Sequence, residues 1–94
     1  MPPENVHERR VTIASTVGLH ARPAKLFAKL AAEQPAKVTI AKEGQEPVDA
    51  RSLLMLLTLD AKGGDEVVLT ADGDGAEASL DALAAELQTN RDAP

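Results

Sequence analysis

The 94-residue chain has room for one small domain with a single core. Its net charge of −5 and its single aromatic residue, Phe27, argue against nucleic-acid binding, which uses basic surfaces and base-stacking side chains. Because cysteine, a membrane-length apolar run and a signal-peptide pattern are all absent, we expect no disulfide, no direct membrane insertion and a cytoplasmic location. The charge is uneven: residues 1–47 hold 7 Lys and Arg against 5 Asp and Glu, and residues 48–94 hold 3 against 10. Although the protein is acidic overall, the local positive charge of its first half can therefore steer a partner towards it.

The hydrophobic pattern alternates between the periods of strands and helices along a single domain, residues 1–94. Residues 1–7 contain two prolines and little apolar material, which predicts a flexible lead-in. Period-two alternation predicts strands over Glu8–Ala14, Ala36–Lys42, Glu46–Ala50 and Glu66–Ala71. Helical spacing predicts helices over Ala21–Glu33, Leu53–Leu59 and Ala76–Thr89.

The resulting order, β-α-β-β-α-β-α, predicts an α+β domain in which three helices cover one face of a four-stranded antiparallel sheet. Pro47 lacks an N–H, so the third strand is expected at an edge of the sheet or to start there. The buried stripe of the first helix is expected to contain six residues: Ala24, Phe27, Ala28 and Ala31, widened by Leu26 and Leu30.

The segment Gly18-Leu19-His20-Ala21-Arg22-Pro23-Ala24 joins the first strand to the first helix. Because proline is favoured in a first helical turn, His20 is expected at or next to the N-cap, where Ser, Thr, Asp and Asn are the usual residues. The partial positive charge of a helix start disfavours imidazolium, so we expect a neutral ring whose lone pair can attack phosphorus. Backbone N–H groups from Ala21 onward and the Arg22 guanidinium are suited to hold phosphoryl oxygens.

This segment resembles the active-site signature of the HPr family, the histidine-containing phosphocarriers of the bacterial phosphoenolpyruvate:sugar phosphotransferase system. The likeness extends from about Arg9 to Leu87. It includes a second block, from Arg51-Ser52-Leu53-Leu54 to Lys62-Gly63-Gly64-Asp65-Glu66-Val67, that resembles the regulatory-serine helix, turn and strand of the family. The resemblance implies an open-faced β-sandwich and a phosphoryl-transfer intermediate without a cofactor, rather than a stand-alone enzyme.

The resemblance also assigns roles to residues. His20 is expected to accept a phosphoryl group on Nδ1 from phosphorylated enzyme I and to pass it to enzyme IIA components that serve sugar uptake, with Arg22 contacting the phosphate. The expected partner-binding residues are Val17, Leu19, Lys25, Lys29, Arg51, Leu53, Leu54 and Leu57. The two lysines are included because, with Arg22, they recur at three- and four-residue steps along the first helix and form a basic ridge. Independently of the family, the apolar residues of the second helix cannot all face one core, and an exposed apolar patch usually marks an interface. Self-association through these leucines is the alternative, and we expect a monomer.

Ser52 has two interpretations. Serine is a preferred helix N-cap and needs no further purpose there. The matching serine is phosphorylated in HPr from many Gram-positive bacteria, so the resemblance adds a serine kinase and phosphorylase, and transcriptional regulators, to the candidate partners. A phosphate at this position would add about −2 charge beside the leucines and repel an acidic partner.

Other functions stay open at this point. The chain could belong to a nitrogen-related or dihydroxyacetone-kinase branch of the phosphocarriers, or be a signalling module that binds regulators according to its phosphorylation state. A small ligand-binding domain of similar topology is a third alternative. Neither His7, interpreted as a residue of the lead-in, nor the turn Asp72-Gly73-Asp74-Gly75 has the ligand spacing of a metal site, so no metal is expected.

Overall fold

The computed structural model describes residues 6–14, 21–42, 44–59 and 61–88, with only the backbone given at positions 21–23. Three helices and four strands follow one another in the predicted order: β1 (Val6–Thr12), α1 (Ala21–Ala32), β2 (Val38–Lys42), β3 (Val48–Asp49), α2 (Leu53–Leu59), β4 (Glu66–Asp72) and α3 (Ala76–Gln88). The prediction of β-α-β-β-α-β-α is confirmed, and the bounds of α2 are those expected from the sequence.

The four strands form one antiparallel sheet in the order β1-β4-β2-β3. The central strand β4 pairs with β1 over seven residues and with β2 over five, so that Val67 lies opposite Val11 and Leu69 opposite Ile40. The short strand β3 lies at one edge, next to β2. Its edge position agrees with the expectation from Pro47, which cannot donate to a central ladder.

Every strand differs from the prediction by one or two residues at one or both ends. The differences at the start of β1 and in the length of β3 follow from the contacts around them. β1 begins at Val6, not at Glu8, because β4 extends to Asp72 and pairs with Val6 at the end of the ladder. The predicted lead-in over residues 1–7 is therefore too long, and His7 is a strand residue whose Nδ1 lies 3.8 Å from Oε1 of Glu77. β3 is confined to Val48–Asp49, since the chain turns directly after it towards α2.

The core lies between the helices and one face of the sheet. Along β4, Val67, Leu69 and Ala71 are buried, while the residues between them are more exposed, as expected for a half-buried strand. In α1 the side chains of Ala24, Phe27, Ala28 and Ala31 are buried as predicted. Leu30 packs only partly against the core, and Leu26 is 40% exposed. The prediction that Leu26 widens the buried stripe is wrong, because its helical position points away from the Ala24–Phe27 face.

The connection from α1 to β2 packs against the turn that precedes α3. Gly75 has a φ of +82°, and a Cβ atom there would lie 2.6 Å from Cγ of Pro35, so both the backbone conformation and the space require glycine. The buried hydroxyl of Ser79 accepts a hydrogen bond from the Ala36 N–H at 3.2 Å and donates one to the Gly75 carbonyl at 2.8 Å. These contacts fix the two connections to each other at the end of the sheet where β4 finishes.

Candidate functional site

The segment Gly18-Leu19-His20-Ala21-Arg22-Pro23-Ala24 extends into the start of α1. α1 starts at Ala21, so His20 is the residue directly before the helix, as the sequence predicts for its chain position. His20, Val17 and Leu19 themselves lie outside the described residues, and so does the Arg22 side chain. Ala21 and Arg22 are the first two residues of α1, a position at which backbone N–H groups have no acceptor within the helix. The first turn carries no acidic residue, so no carboxylate of that turn competes with an anion for these donors.

The described residues on both sides of this segment are held by the core. After β1, the Ile13 N–H donates to the Asp65 carbonyl at 3.0 Å, and the Ala14 N–H donates to the Leu87 carbonyl at 2.9 Å. The Ile13 side chain is 3% exposed, and Ala24 in the first turns of α1 is fully buried. The start of α1 therefore has a fixed position relative to the sheet, which is what an acceptor at a helix start requires.

The basic residues of α1 face solvent. Lys25 and Lys29 are exposed and four residues apart, so they follow one side of the helix. Arg22 lies three residues before Lys25 in the same helix, so its backbone position is on the same side. This arrangement agrees with the expected basic ridge and places its two described lysines in the turns that follow His20.

α2 presents a surface of large apolar side chains, which we call the leucine surface. Leu54 is 71% exposed, and the other three members of this surface are close to 40% exposed: Leu53, Met55 and Leu57. Leu56 and Leu59 face the opposite way and are buried, which anchors the helix. Because α2 packs beside α1, the leucine surface lies in the same helical layer as the lysines. An exposed apolar patch of this kind is typical of a protein-docking site.

Ser52 caps α2. Its Oγ accepts a hydrogen bond from the Met55 N–H at 3.3 Å, and its carbonyl accepts one from the Leu56 N–H at 3.0 Å. This confirms the capping interpretation. The side chain is only partly buried, so the hydroxyl lies at the surface as well.

Arg51 has a partner that the sequence analysis did not identify. Its side chain is 48% exposed, but it is paired with the carboxylate of Asp49, two residues earlier. This pairing raises the pKa of Arg51 and lowers the pKa of Asp49 through the side-chain hydrogen bond between them. The sequence does contain a signal for this contact: aspartate in a turn commonly accepts a hydrogen bond from the backbone N–H two residues later, and Arg51 is two residues after Asp49.

Two kinds of feature are absent from the described part of the chain: a cluster of metal-ligating side chains and a helix of membrane-spanning character. Among residues 6–14, 21–42, 44–59 and 61–88, no three His, Cys, Asp or Glu side chains are grouped so that they could hold a metal ion. Within the same residues, no helix has both the length and the apolar character that crossing a bilayer demands.

Three helices on one face of a four-stranded antiparallel sheet define the class of this protein, an open-faced α+β sandwich. Comparison with known proteins makes the class specific. The family model described as "PTS HPr component phosphorylation site" matches residues 7–89. The chain belongs to this HPr family of phosphocarriers of the phosphotransferase system.

Individual relatives agree with the family. The chain is 51% identical to the phosphocarrier protein HPr of Streptomyces coelicolor over 82% of this chain and 83% of that protein. It is 44% identical to the phosphocarrier protein NPr of Shewanella violacea over 83% of this chain and 85% of that protein. The crystal structure of HPr from Bacillus anthracis aligns with a TM-score of 0.83 at 36% identity, covering 88% of this chain and 98% of that chain. This likeness confirms the predicted open-faced α+β sandwich.

Proposed function

We propose that His20 accepts a phosphoryl group from phosphorylated enzyme I and passes it to enzyme IIA components. The observation that carries the proposal is the position of His20: it directly precedes an anchored helix start and lies within the family match over residues 7–89. In the transfer, the Nδ1 lone pair forms a bond to phosphorus while the donor leaves with its bonding electron pair. The N–H groups of Ala21 and Arg22, with the Arg22 guanidinium, would hold the phosphoryl oxygens.

Docking is proposed to use the leucine surface together with the basic ridge of α1. An apolar patch supplies contact area that is already exposed, and the lysines steer an acidic partner towards it. Donor and acceptor proteins would use this surface in turn, so each complex must be short-lived. A monomer fits this scheme best, because a dimer formed through the leucine surface would block it.

The acceptor is tested by incubation with phosphoenolpyruvate and enzyme I. The wild-type protein is expected to gain one acid-labile phosphoryl group, and His20→Ala is expected to gain none. His7→Ala is the matched control, since His7 is the other histidine of the chain and lies in β1. Labelling of the His20→Ala variant, or loss of labelling in His7→Ala, would refute the assignment.

Regulation through Ser52 is a second part of the proposal. A phosphate on this partly exposed N-cap would interact favourably with the helix dipole and would place negative charge beside Leu53 and Leu54. Two variants separate charge from capping, because Asn and Asp are both good N-caps. Ser52→Asp is expected to slow transfer from enzyme I, and Ser52→Asn is expected to leave it near the wild-type rate. Equal rates for the two variants would refute the electrostatic effect. Incubation with ATP and an HPr serine kinase tests the modification itself.

The 44% identity to the phosphocarrier protein NPr favours a second candidate, a carrier of the nitrogen-related branch. The chemistry at His20 would be the same and the partners regulatory. Rates of phosphoryl acceptance from a sugar-branch enzyme I and from a nitrogen-branch enzyme I distinguish the two. A higher kcat/KM with the sugar-branch enzyme supports the first proposal, and the reverse order supports the second.

A further inference from the structure

The carboxylate of Asp49 holds Arg51 by three hydrogen bonds. The Arg51 backbone N–H donates to Oδ1 at 2.9 Å and Nε donates to the same oxygen at 3.2 Å. Nη2 donates to Oδ2 at 3.0 Å, so the guanidinium is bound along its Nε–Nη2 edge. Both the backbone and the side chain of Arg51 are therefore fixed by one neighbouring residue.

The geometry leaves the other edge of the guanidinium for a second group. An arginine side chain carries five N–H donors, and the Asp49 carboxylate uses one on Nε and one on Nη2. The donors that remain on Nη1 and Nη2 form a second fork directed away from Asp49. Such a fork matches the two oxygens of a carboxylate. Because the Arg51 side chain is 48% exposed, an incoming group can reach it.

The position of Arg51 brings this fork to the rim of the leucine surface. Arg51 precedes the N-cap Ser52, and the leucine surface begins at Leu53 and Leu54. The first turn of α2 contains no acidic residue, so no carboxylate of that turn competes for the fork. A partner that docks on the leucines therefore brings its own rim residues next to Arg51.

We infer that Asp49 is a positioning residue for docking: it holds Arg51 so that the outward fork receives a carboxylate of the protein partner. This inference rests on the proposed function, because it requires that partner to dock on the leucine surface. A flexible arginine must be ordered when a complex forms, which weakens binding by roughly two- to tenfold for one such side chain. Asp49 places the side chain in advance and removes this penalty. The negative charge of Asp49 itself acts mainly on the association rate constant, through the long-range attraction or repulsion of the partner, and salt screens this effect.

The test is the dissociation rate constant of the complex with enzyme I. Asn at position 49 keeps an oxygen that can accept the backbone N–H of Arg51, but it lacks the charge and the second acceptor. Asp49→Asn is expected to raise the dissociation rate constant by roughly two- to tenfold, as expected for an arginine that is no longer held. The same substitution in an Arg51→Gln background is expected to change nothing. Asp81→Asn is the matched control, since Asp81 also pairs with an arginine, Arg9, at 2.7 Å, on the side of the sheet where β1 is the edge.

Three results would overturn the inference: an unchanged or lower dissociation rate constant for Asp49→Asn, the same increase in the Arg51→Gln background, or an equal increase for Asp81→Asn. The NMR signal of the Arg51 Nε–H in the free protein gives an independent readout. Its protection from exchange is expected to fall in Asp49→Asn, and unchanged protection would contradict the proposed geometry. A wild-type protein that neither binds enzyme I nor accepts phosphate refutes the proposed function. Normal wild-type transfer with an unaffected Asp49→Asn complex refutes only the role of Asp49.

Discussion

Truncation of two neighbouring leucines in α2 separates docking from folding. Leu54 is 71% exposed and Leu56 is fully buried, although they are two residues apart on one helix. Removing the Leu54 side chain to Ala gives up little burial and places a better helix former at an exposed position, so the free energy of unfolding is expected to change by less than about 0.5 kcal/mol. Leu56→Ala removes a buried side chain and is expected to cost about 2–5 kcal/mol.

For phosphoryl acceptance the order is reversed: Leu54→Ala is expected to have the larger effect and Leu56→Ala the smaller. If Leu54 is inserted into a partner, its loss costs about 1–2 kcal/mol of interface energy, which corresponds to roughly a 5- to 30-fold lower kcat/KM for phosphoryl acceptance. The assay measures phosphorylation by enzyme I at several concentrations of the variant, with urea unfolding of the same samples. Leu56→Ala is expected to lose stability and to retain transfer in the fraction that is folded.

Two results would refute this reasoning. One is a Leu54→Ala variant that accepts phosphate with the wild-type kcat/KM, which would exclude the most exposed member of the leucine surface from docking. The other is a Leu54→Ala variant that is destabilised by several kcal/mol, which would mean that its side chain is buried in the folded protein.

Three further predictions concern the fold. Ser79→Ala leaves a buried backbone N–H without an acceptor and is expected to cost about 1–3 kcal/mol in urea unfolding; an unchanged midpoint would contradict the hydrogen bond. Gly64→Ala is expected to cost about 1–2 kcal/mol, because the new Cβ meets open space and only the positive φ is strained. Gly75→Ala has the same strain and also collides with Pro35, so thermal unfolding should show it to be the less stable variant. A backbone hydrogen bond lowers the pKa of Asp65 below its ordinary 3.8. Its contribution to stability is therefore present above that pH and is lost as the pH falls through the folded-state pKa, and Asp65→Asn should flatten the acid end of the stability curve.

The local hydrophobic pattern of the sequence was sufficient to predict the order of the helices and strands and most of the core residues. The stripe of Ala24, Phe27 and Ala31 follows from helical spacing, and the edge position of β3 agrees with the missing N–H of Pro47. The start of β1 could not be predicted in the same way. Val6 and His7 are strand residues because β4 is long enough to pair with them, and that is a property of a segment more than sixty residues away.

Which apolar side chains are exposed at the surface could not be predicted from the sequence. The apolar run of α2 shows that some side chains must be exposed, but a seven-residue helix with apolar residues on most sides does not show which ones. The exposure of Leu26 has the same origin, because an apolar residue beside a buried stripe can face either way. The pairing of Asp49 with Arg51 depends on the turn after β3, whose course was not specified by the strand pattern.

The most direct test of the account is the site and atom of phosphorylation in the wild-type protein. After incubation with phosphoenolpyruvate and enzyme I, NMR of the histidine ring and the phosphorus nucleus identifies which nitrogen carries the group. The account predicts a phosphoryl group on Nδ1 of His20, lost on addition of a competent enzyme IIA. A stable phosphoryl group on another residue, or no phosphorylation of a folded protein, would contradict it.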